Sequence, residues 1–390
     1  MKRDTILSIK LPAATGRLED YAVREPKTFR KPSKTFTRRA LAAAHVVADP
    51  FSPEDPWLEA AIDWDATIAY RRHLWSWGLG VAEAMDTAQR GMGLDWPNSL
   101  ELIRRSVEAA KDFPGACVAS GAGTDHLPPG SYSIQEIIEA YEQQCAAIEK
   151  LAGRIILMAS RALVSSAKSP HDYARVYDRI LSQVKQPVII HWLGEMFDPA
   201  LEGYWGNKDH HAAMDVCLAV IEKNQAKVDG IKVSLLDMDK EVQMRRRLPK
   251  EVRMYTGDDF NFAELIEGDA QGYSDALLGI FDSIAPAASH ALGALAANDK
   301  AAYREALAPT VPLSRHMFRA PTRFYKTGVV FMAWLNGHQE HFIMVGGQQS
   351  ARNLLHLAEL FRLADAAGLL SDPARACARM KQLLALHGCS

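Results

Sequence analysis

Short apolar runs alternate with longer amphipathic segments along most of the chain. Eight of these runs have the length and the flanking turn residues that are typical of buried strands. They span residues 43–48, 80–87, 116–120, 154–160, 187–192, 230–235, 252–256 and 276–281. Segments between them, such as 65–78 and 134–153, repeat apolar residues every three or four positions and therefore predict helices.

Strands that alternate with helices predict an α/β protein with a parallel sheet. Eight such units in roughly 250 residues match the (β/α)8 TIM barrel, which we expect over residues 36–290. A doubly wound open sheet is the alternative fold, because the second run carries Glu83 and the eighth run also fits a helix.

Both ends of the chain depart from this alternation. Residues 1–35 are polar and basic and have neither period, so we expect an N-terminal arm or a short hairpin on the barrel. Residues 291–390 are almost purely helical and rich in alanine and leucine. This pattern predicts a C-terminal helical region that packs on the barrel or on a second subunit.

Composition narrows the class of protein. Hydrophobic residues form 48% and charged residues 24% of the 390-residue chain, as in globular proteins. Lys and Arg number 45 against 47 Asp and Glu, so the charge does not favour nucleic acid or an anionic membrane. No apolar run reaches about 18 residues, and the N-terminus lacks the apolar core of a secretory signal. Five scattered cysteines without a C-x-x-C pair indicate a reducing cytoplasm, no disulfides and no structural zinc.

The sixth strand carries an unexpected residue. Lys232 lies between Ile231 and Val233 in a run that should be buried, and burial of an ammonium group is costly. The cost falls if the amine is neutral, and a neutral amine is a nucleophile toward carbonyl groups. The structural alternative is a lysine that extends to the strand end or pairs with a carboxylate.

Polar residues follow almost every predicted strand. In a TIM barrel the carboxyl ends of the strands form the active-site face, so these side chains should meet there. The candidates for substrate binding and catalysis are Asp86, Thr87, Asp125, His126, Arg161, His191, Glu195, Ser234, Asp258 and Asp259. Each also has a structural interpretation, since aspartates cap helices and a buried histidine can be a core residue. No dinucleotide fingerprint surrounds Gly121 and Gly123, so no nicotinamide cofactor is expected.

The stretch VDGIKVSLLDMDKEVQMRRRLPKEVRMYTGDDF resembles the dihydrodipicolinate synthase / N-acetylneuraminate lyase superfamily. Weaker similarity extends upstream through PVIIHW, GACVASGAGTDHL and AMDTAQRGMGLDW, so the resemblance covers residues 43–290. It implies that Lys232 is the Schiff-base lysine, whose iminium serves as the electron sink for cleavage, condensation or dehydration. It also implies a helical C-terminal region and a homo-oligomer, either a dimer or a tetramer.

Departures from the family pattern indicate a different substrate. His191 stands where the family has a proton-shuttling tyrosine, and a histidine can act as a general acid or base. Only Thr87 matches the family's paired threonines, and Glu195 lies in the turn where the family binds a carboxylate with an arginine. A carboxylate beside Glu195 would be repelled. The sequence therefore favours a lyase or aldolase acting on a neutral, sugar-derived carbonyl compound, without a cofactor or metal.

Two other functions are compatible with the same barrel. Asp125, His126, His191, Glu195 and Asp259 include the ligand types of a divalent-metal site, which would indicate a sugar isomerase or a metal-dependent aldolase. Alternatively, a barrel without its shuttle tyrosine binds a sugar and catalyses no reaction.

Overall fold

A computed structural model describes residues 7–389. Residues 1–6, which belong to the predicted arm and to the N-terminus examined for a secretory signal, lie outside the described residues. The strands are β1 Ser8–Pro12, β2 Leu18–Ala22, β3 Ala40–Ala43, β4 Gly80–Glu83, β5 Val118–Ala122, β6 Arg154–Leu157, β7 Val188–Leu193, β8 Val228–Ser234, β9 Arg253–Thr256 and β10 Asp275–Leu278.

Helices follow most of these strands. They are α1 Trp64–Ser76, α2 Trp96–Lys111, α3 Ile134–Lys150, α4 Arg161–Ser166, α5 Pro170–Gln183, α6 His210–Lys223, α7 Met238–Arg247, α8 Phe262–Glu267, α9 Ile280–Ser283, α10 Ala285–Ala296, α11 Lys300–Leu307, α12 Thr310–Met317, α13 Tyr325–Leu335, α14 Leu354–Ala366 and α15 Pro373–Leu386. No helix within residues 7–389 is long and apolar enough to cross a membrane.

Eight parallel strands, β3 to β10, close into a barrel in which β10 pairs with both β9 and β3. The predicted (β/α)8 barrel is confirmed, and the open doubly wound sheet is wrong. Alternate side chains face opposite sides of the barrel wall. One apolar cluster fills the interior with residues such as Leu41, Ile156 and Tyr255, and a larger one lies between the strands and the helices.

The first barrel strand lies earlier than residues 43–48. Ala40–Ala42 pair with β10, and the chain leaves the ladder after Ala43. The backbone N–H of His45 then donates to the carboxylate of Asp282, and that of Val47 donates to the Thr67 hydroxyl. Side chains, and not a neighbouring strand, accept hydrogen bonds from these N–H groups. The apolar run therefore extends beyond the end of β3.

Three other strands are clearly shorter than predicted, and one of them, β6, ends at Leu157. β4 ends at Glu83 because Ala84 adopts a left-handed conformation, with φ of 52°, which breaks the ladder. β10 ends at Leu278, and Ile280–Ser283 is helical. Gly279 separates them, where a Cβ atom would lie 3.0 Å from the Phe318 ring and 3.1 Å from the Tyr325 ring. The C-terminal region therefore packs directly against the end of the last barrel strand.

The N-terminal segment contains the antiparallel hairpin β1–β2, which packs on α14 and α15. Asp365 on α14 ties the segment down by accepting hydrogen bonds from the Tyr21 hydroxyl and the Arg24 guanidinium. Every residue of α13 is buried, and this helix contacts α9, α14 and α15. The predicted boundaries at residues 35 and 290 stay a prediction, since packing is continuous across the hairpin, the barrel and the C-terminal helices.

Glu83, which made the second strand doubtful, belongs to a buried ion pair. Its carboxylate accepts two hydrogen bonds from Arg71 on α1, at 2.9 and 2.8 Å, and both side chains are fully buried. Ser106 and the backbone N–H of Ala84 donate to the same carboxylate. Because each charge is paired and hydrogen-bonded, an acidic residue is tolerated in a barrel strand.

We predict that Arg71→Ala lowers the free energy of unfolding by about 3–5 kcal/mol, since it leaves a buried, unpaired carboxylate. The double variant Arg71→Met, Glu83→Leu should lose less stability because it removes both charges. Urea unfolding followed by circular dichroism measures both effects.

The surface pair between Arg104 and Glu101 provides the control, with a distance of 2.7 Å and partly exposed side chains. Arg104→Ala should lower the free energy of unfolding much less than Arg71→Ala does, because solvent screens an exposed ion pair. Equal losses for Arg71→Ala and Arg104→Ala would contradict the structural importance of the buried pair.

Candidate active site

A cavity of about 410 Å³ opens at the carboxyl end of the barrel. It is the location that the barrel fold predicts for an active site. Its walls come from the loops after β4 to β7 and include Asp86, Arg90, Thr124, Asp125, Leu127, Pro128, Tyr132, Met158, Arg161, His191, Leu193, Asp198 and Leu201. Polar groups are thus set among apolar surfaces, as in small-molecule sites.

Lys232 lies at the inner end of this site, on β8. Its strand register pairs it with His191 on β7, and its side chain is buried, with 7% of the residue exposed. Lys232 is not part of the cavity wall, but its neighbours Asp86 and His191 belong to that wall: the charge of Asp86 raises the pKa of Lys232, and the charge of Lys232 lowers the pKa of His191. The lysine therefore lies directly behind two residues that a ligand in the cavity would touch.

Gly257 makes room for the Lys232 side chain. A Cβ atom at this position would lie 2.8 Å from Cε of Lys232 and 2.3 Å from Oγ of Ser234. Neither distance is compatible with a real side chain, so only glycine fits between the two residues. The glycine that follows β9 thus fixes where the amine of Lys232 lies.

Burial lowers the pKa of Lys232, and the negative charges of Asp86 and Asp259 oppose this effect. The first effect is the larger, so the amine loses its proton more readily than an exposed lysine. The two carboxylates keep the ammonium form accessible. This balance suits a group that must be neutral when it attacks a carbonyl.

Asp259 is a second titratable group beside Lys232. Burial raises its pKa to about 7, although the backbone N–H of Ile280 donates to it and the charge of Lys232 lowers the pKa. A carboxyl group with this pKa can accept or donate a proton near neutral pH. Asp258, its neighbour, instead accepts from the backbone N–H groups of Phe260 and Asn261 and so holds the turn.

His191 is fully buried and lines the cavity. Its Nε2 lies 3.2 Å from the Ser234 hydroxyl, and its Nδ1 has no hydrogen-bond partner within the described residues. Burial and the charge of Lys232 lower the pKa of His191 well below its usual range. The imidazole is therefore neutral, and it lines the cavity with a buried Nδ1.

The C-terminal region contributes Tyr325, which the sequence analysis missed. Its hydroxyl lies 2.7 Å from the hydroxyl of Thr87, and its ring stacks on Phe318 at a centroid distance of 4.3 Å. Asp86 acts electrostatically on both Tyr325 and Lys232. Tyr325, Thr87 and Lys232 thus share one carboxylate neighbour.

Lys326, the next residue on α13, is a second buried lysine near the site. Its Nζ donates to the backbone oxygen of Arg323 at 3.1 Å. Burial lowers its pKa to about 8, against the opposing charges of Asp86 and Asp198. Neither Tyr325 nor Lys326 has a sequence signal, because each lies in an apolar helix far along the chain from the barrel motifs.

The other wall of the cavity holds paired charges. Arg90 donates to both carboxylate oxygens of Asp125, at 3.0 and 2.5 Å, and to Gln144 at 2.6 Å. Burial would raise the pKa of Asp125, but its contacts with Arg90 lower it overall. Arg161 donates to Asp198 at 2.5 Å. Both arginines of the cavity are therefore neutralised by a carboxylate.

Six predicted binding residues lie off the cavity wall, namely Thr87, His126, Glu195, Ser234, Asp258 and Asp259. His126 accepts or donates a hydrogen bond with Gln144 at 2.8 Å, and Glu195 pairs with His210 at 3.2 Å. Strand-end position therefore predicts the correct face of the barrel but not the direction of these side chains. Within residues 7–389, no three histidine, cysteine or carboxylate side chains are arranged to hold a metal ion. Asp125, His126, His191, Glu195 and Asp259, which the sequence offers as ligands of a divalent metal, are therefore not grouped as a metal site in the described residues.

The fold belongs to a known structural class, because it is similar to solved structures of the dihydrodipicolinate synthase family. For the enzyme from Aquifex aeolicus the TM-score is 0.60 at 12% identity, with 90% of this chain and 98% of that chain covered. For the enzyme from Thermotoga maritima it is 0.62 at 15% identity, covering 86% and 100%. For YagE from E. coli K12, solved in complex with pyruvate, it is 0.63 at 13% identity, covering 91% and 99%.

At these identities the similarity shows a shared fold, and at that level the resemblance seen in the sequence is confirmed. The chain belongs to the family described as protein of unknown function DUF993, whose model matches residues 9–389. No curated protein sequence matches this chain.

We predict that Asp86→Asn lowers the pKa of Lys232 further, because it removes a negative charge that stabilises the ammonium form. The pKa can be measured from the pH dependence of the Nζ and Cε chemical shifts in protein with isotope-labelled lysine. A Lys232→Met variant assigns the signal.

Asp125→Asn is the matched control, since Asp125 lines the same cavity but is paired with Arg90. It should leave the pKa of Lys232 almost unchanged. An unchanged or raised pKa in Asp86→Asn would refute the electrostatic arrangement described for the two residues.

Proposed function

We propose that this protein is a Schiff-base lyase or aldolase that acts through Lys232 on a sugar-derived carbonyl compound. The observation that carries the proposal is a buried lysine of lowered pKa behind the cavity at the carboxyl end of the barrel. Three groups able to move a proton surround it, namely His191, Asp259 and the pair of Thr87 and Tyr325.

The chemistry begins when the neutral amine of Lys232 adds to the substrate carbonyl carbon. The resulting carbinolamine loses water and becomes an iminium ion. In a cleavage, the β-hydroxyl of the substrate loses its proton, the bond between the α and β carbons breaks, and the electron pair of that bond moves into the iminium as an enamine while the other fragment leaves as an aldehyde or ketone. In a dehydration, removal of the α proton gives the enamine, which then expels the protonated β-hydroxyl as water. Protonation of the enamine and addition of water release the product and regenerate the amine.

Each proton transfer needs a donor or an acceptor within reach. Asp259, with a pKa of about 7, can take a proton as the amine adds and return it when water leaves. The neutral imidazole of His191 lines the cavity and can relay a proton through Ser234, whose hydroxyl lies 3.2 Å from its Nε2. The hydroxyls of Thr87 and Tyr325 form a short path next to Asp86, which can carry a proton to the leaving group.

The charges of the cavity favour a neutral substrate. Arg90 is paired with Asp125 and Arg161 with Asp198, so neither guanidinium on the wall is left to bind a free carboxylate. The carboxylates and backbone groups accept hydrogen bonds from hydroxyls. A keto-sugar or another polyhydroxylated carbonyl compound therefore fits these walls better than a 2-keto acid does.

Borohydride trapping tests the proposal. The protein is incubated with keto-sugars, small aldehydes, pyruvate and other 2-keto acids, then reduced, and the adducts are located by peptide mass spectrometry. We expect a keto-sugar adduct on the peptide that carries Lys232 and none in Lys232→Ala.

Lys326→Ala is a control, because it removes a second buried amine near the site and should leave the Lys232 adduct detectable. Efficient trapping of pyruvate in place of keto-sugars would overturn the substrate class while keeping the mechanism. An adduct confined to lysines other than Lys232 would overturn the mechanism itself.

With the compound that forms the adduct, we expect Tyr325→Phe to lower kcat by about 10²–10⁴, the usual range for loss of an acid–base group. The variant keeps the ring that stacks on Phe318 and removes only the hydroxyl. Imine formation should persist, so borohydride should still trap the adduct.

Tyr303→Phe is the matched control, since this buried tyrosine donates to the backbone oxygen of Ala263, away from the cavity. It should change stability by about 1 kcal/mol and leave kcat intact. Equal kcat values for the wild type and Tyr325→Phe would remove the tyrosine from the proposed proton path.

Assembly and location stay predictions. We expect a dimer or a tetramer in the cytoplasm, from the resemblance to an oligomeric superfamily and from the cysteine content. The five cysteines are free thiols in the structure, and Cys145, Cys217 and Cys377 are buried. Static light scattering of the purified chain measures the oligomeric state.

A further inference from the structure

A second cavity, of about 260 Å³, lies between α1, the loop around α9 and the C-terminal region. Its walls include Lys27, Phe29, Tyr70, His73, Trp77, Asp282, Met332, Asn336, His338, Leu369 and Ser371. None of these residues lines the cavity in front of Lys232. The proposed lyase reaction makes no use of it.

Two histidines form the polar part of this cavity. His73 and His338 are half-buried, and their rings lie 4.3 Å apart between centroids. Burial lowers the pKa of His73 to about 4 and that of His338 to about 3. No hydrogen bond from the described part of the chain reaches either imidazole. Each neutral ring therefore offers one N–H donor and one acceptor to an occupant.

The neighbouring polar groups are already paired. Asp282 accepts from the backbone N–H and Nδ1 of His45, at 2.9 and 2.8 Å, and lies 3.0 Å from the Tyr70 hydroxyl. Because these three residues satisfy one another, they fix the wall of the cavity. The two histidines are the groups left to recognise a ligand.

The charges around the cavity favour an anion. Lys27 is exposed on its wall, and within residues 7–389 no carboxylate pairs with it. Lys31 lies over the Trp77 ring and acts on His73, while Arg375 acts on His338. The one carboxylate on the wall, that of Asp282, is buried and hydrogen-bonded by His45 and Tyr70, and its negative charge acts on both His73 and His338. An anion is therefore favoured at the entrance, where the exposed Lys27, Lys31 and Arg375 lie, and not beside Asp282.

The remaining walls are flat and apolar. The ring of Tyr70 lies 5.0 Å from that of His338 and 5.5 Å from that of His73, and Phe29 and Trp77 extend the aromatic surface. Aromatic walls of this kind prefer a planar occupant that can stack or meet them edge-on. A volume of about 260 Å³ suits a ring of six atoms with one substituent.

We propose that this cavity is a second binding site, for a small aromatic carboxylate whose carboxylate group accepts hydrogen bonds from His73 and His338. The ring of the ligand packs against Tyr70 and Trp77, and Lys27 supplies the charge at the entrance. This site is independent of the proposed chemistry at Lys232.

Calorimetric titration of the full chain with benzoate and nicotinate tests the proposal. We expect saturable one-to-one binding of at least one of the two compounds. Benzamide, which has the same ring without the charge, should bind about tenfold more weakly or not at all, since it lacks the charged acceptor. Lys232→Ala should bind benzoate or nicotinate as the wild type does, because the active-site amine is not involved.

Variants localise the site. His73→Phe and His338→Phe keep an aromatic ring and should weaken binding by about tenfold or more. Lys27→Ala should weaken it several-fold without disturbing the core, so it keeps the test decisive if a histidine variant does not fold. His171→Phe, which changes an exposed histidine on α5, is the matched control and should bind normally.

Three results would overturn the proposal. They are no saturable binding of benzoate or nicotinate to the folded wild-type protein, equal affinity for benzamide, and unchanged affinity in Lys27→Ala and both histidine variants. Loss of binding in Lys232→Ala alone would assign the carboxylate to the first cavity and would equally refute a second site.

Discussion

The removal of one amine from water is the constraint on which the rest of this structure depends. Lys232 lies inside a closed barrel, where burial disfavours its charge and two carboxylates, Asp86 and Asp259, favour it. The strand register sets His191 beside it, and Gly257 leaves the space that its stem occupies. A shift in any of these positions would change the pKa of the amine. The barrel interior therefore sets the charge of Lys232 and also forms a packed core.

The sequence predicts the barrel and its buried lysine because both are local signals. Strand–helix alternation needs only neighbouring residues, and a lysine among apolar residues is visible within one strand. Strand bounds are less certain, since the apolar run at the first strand continues into His45–Ala48, whose N–H groups bond to side chains rather than to the ladder. The direction of side chains after a strand, as at His126 and Glu195, depends on tertiary partners that the sequence does not display.

The contribution of the C-terminal region could not be predicted for the same reason. The alanine- and leucine-rich pattern of its helices predicts packing surfaces, and most of these residues do pack against other parts of the protein. α13 is nevertheless the element that brings Tyr325 to Thr87 at one end and lines the second cavity with Met332 and Ala333 at the other. One buried helix thus connects the surroundings of Lys232 with the second cavity, and no periodicity in the sequence distinguishes its polar contacts from its apolar ones.

The order in which the chain is made gives this helix a further consequence. The last barrel strand ends at Leu278, whereas the tyrosine that packs against Gly279 and reaches Thr87 is translated only later. The barrel can therefore close on the ribosome while the surroundings of Lys232 are still incomplete. The closed barrel alone therefore does not provide the full setting of Lys232, which is complete only when α13 packs on it.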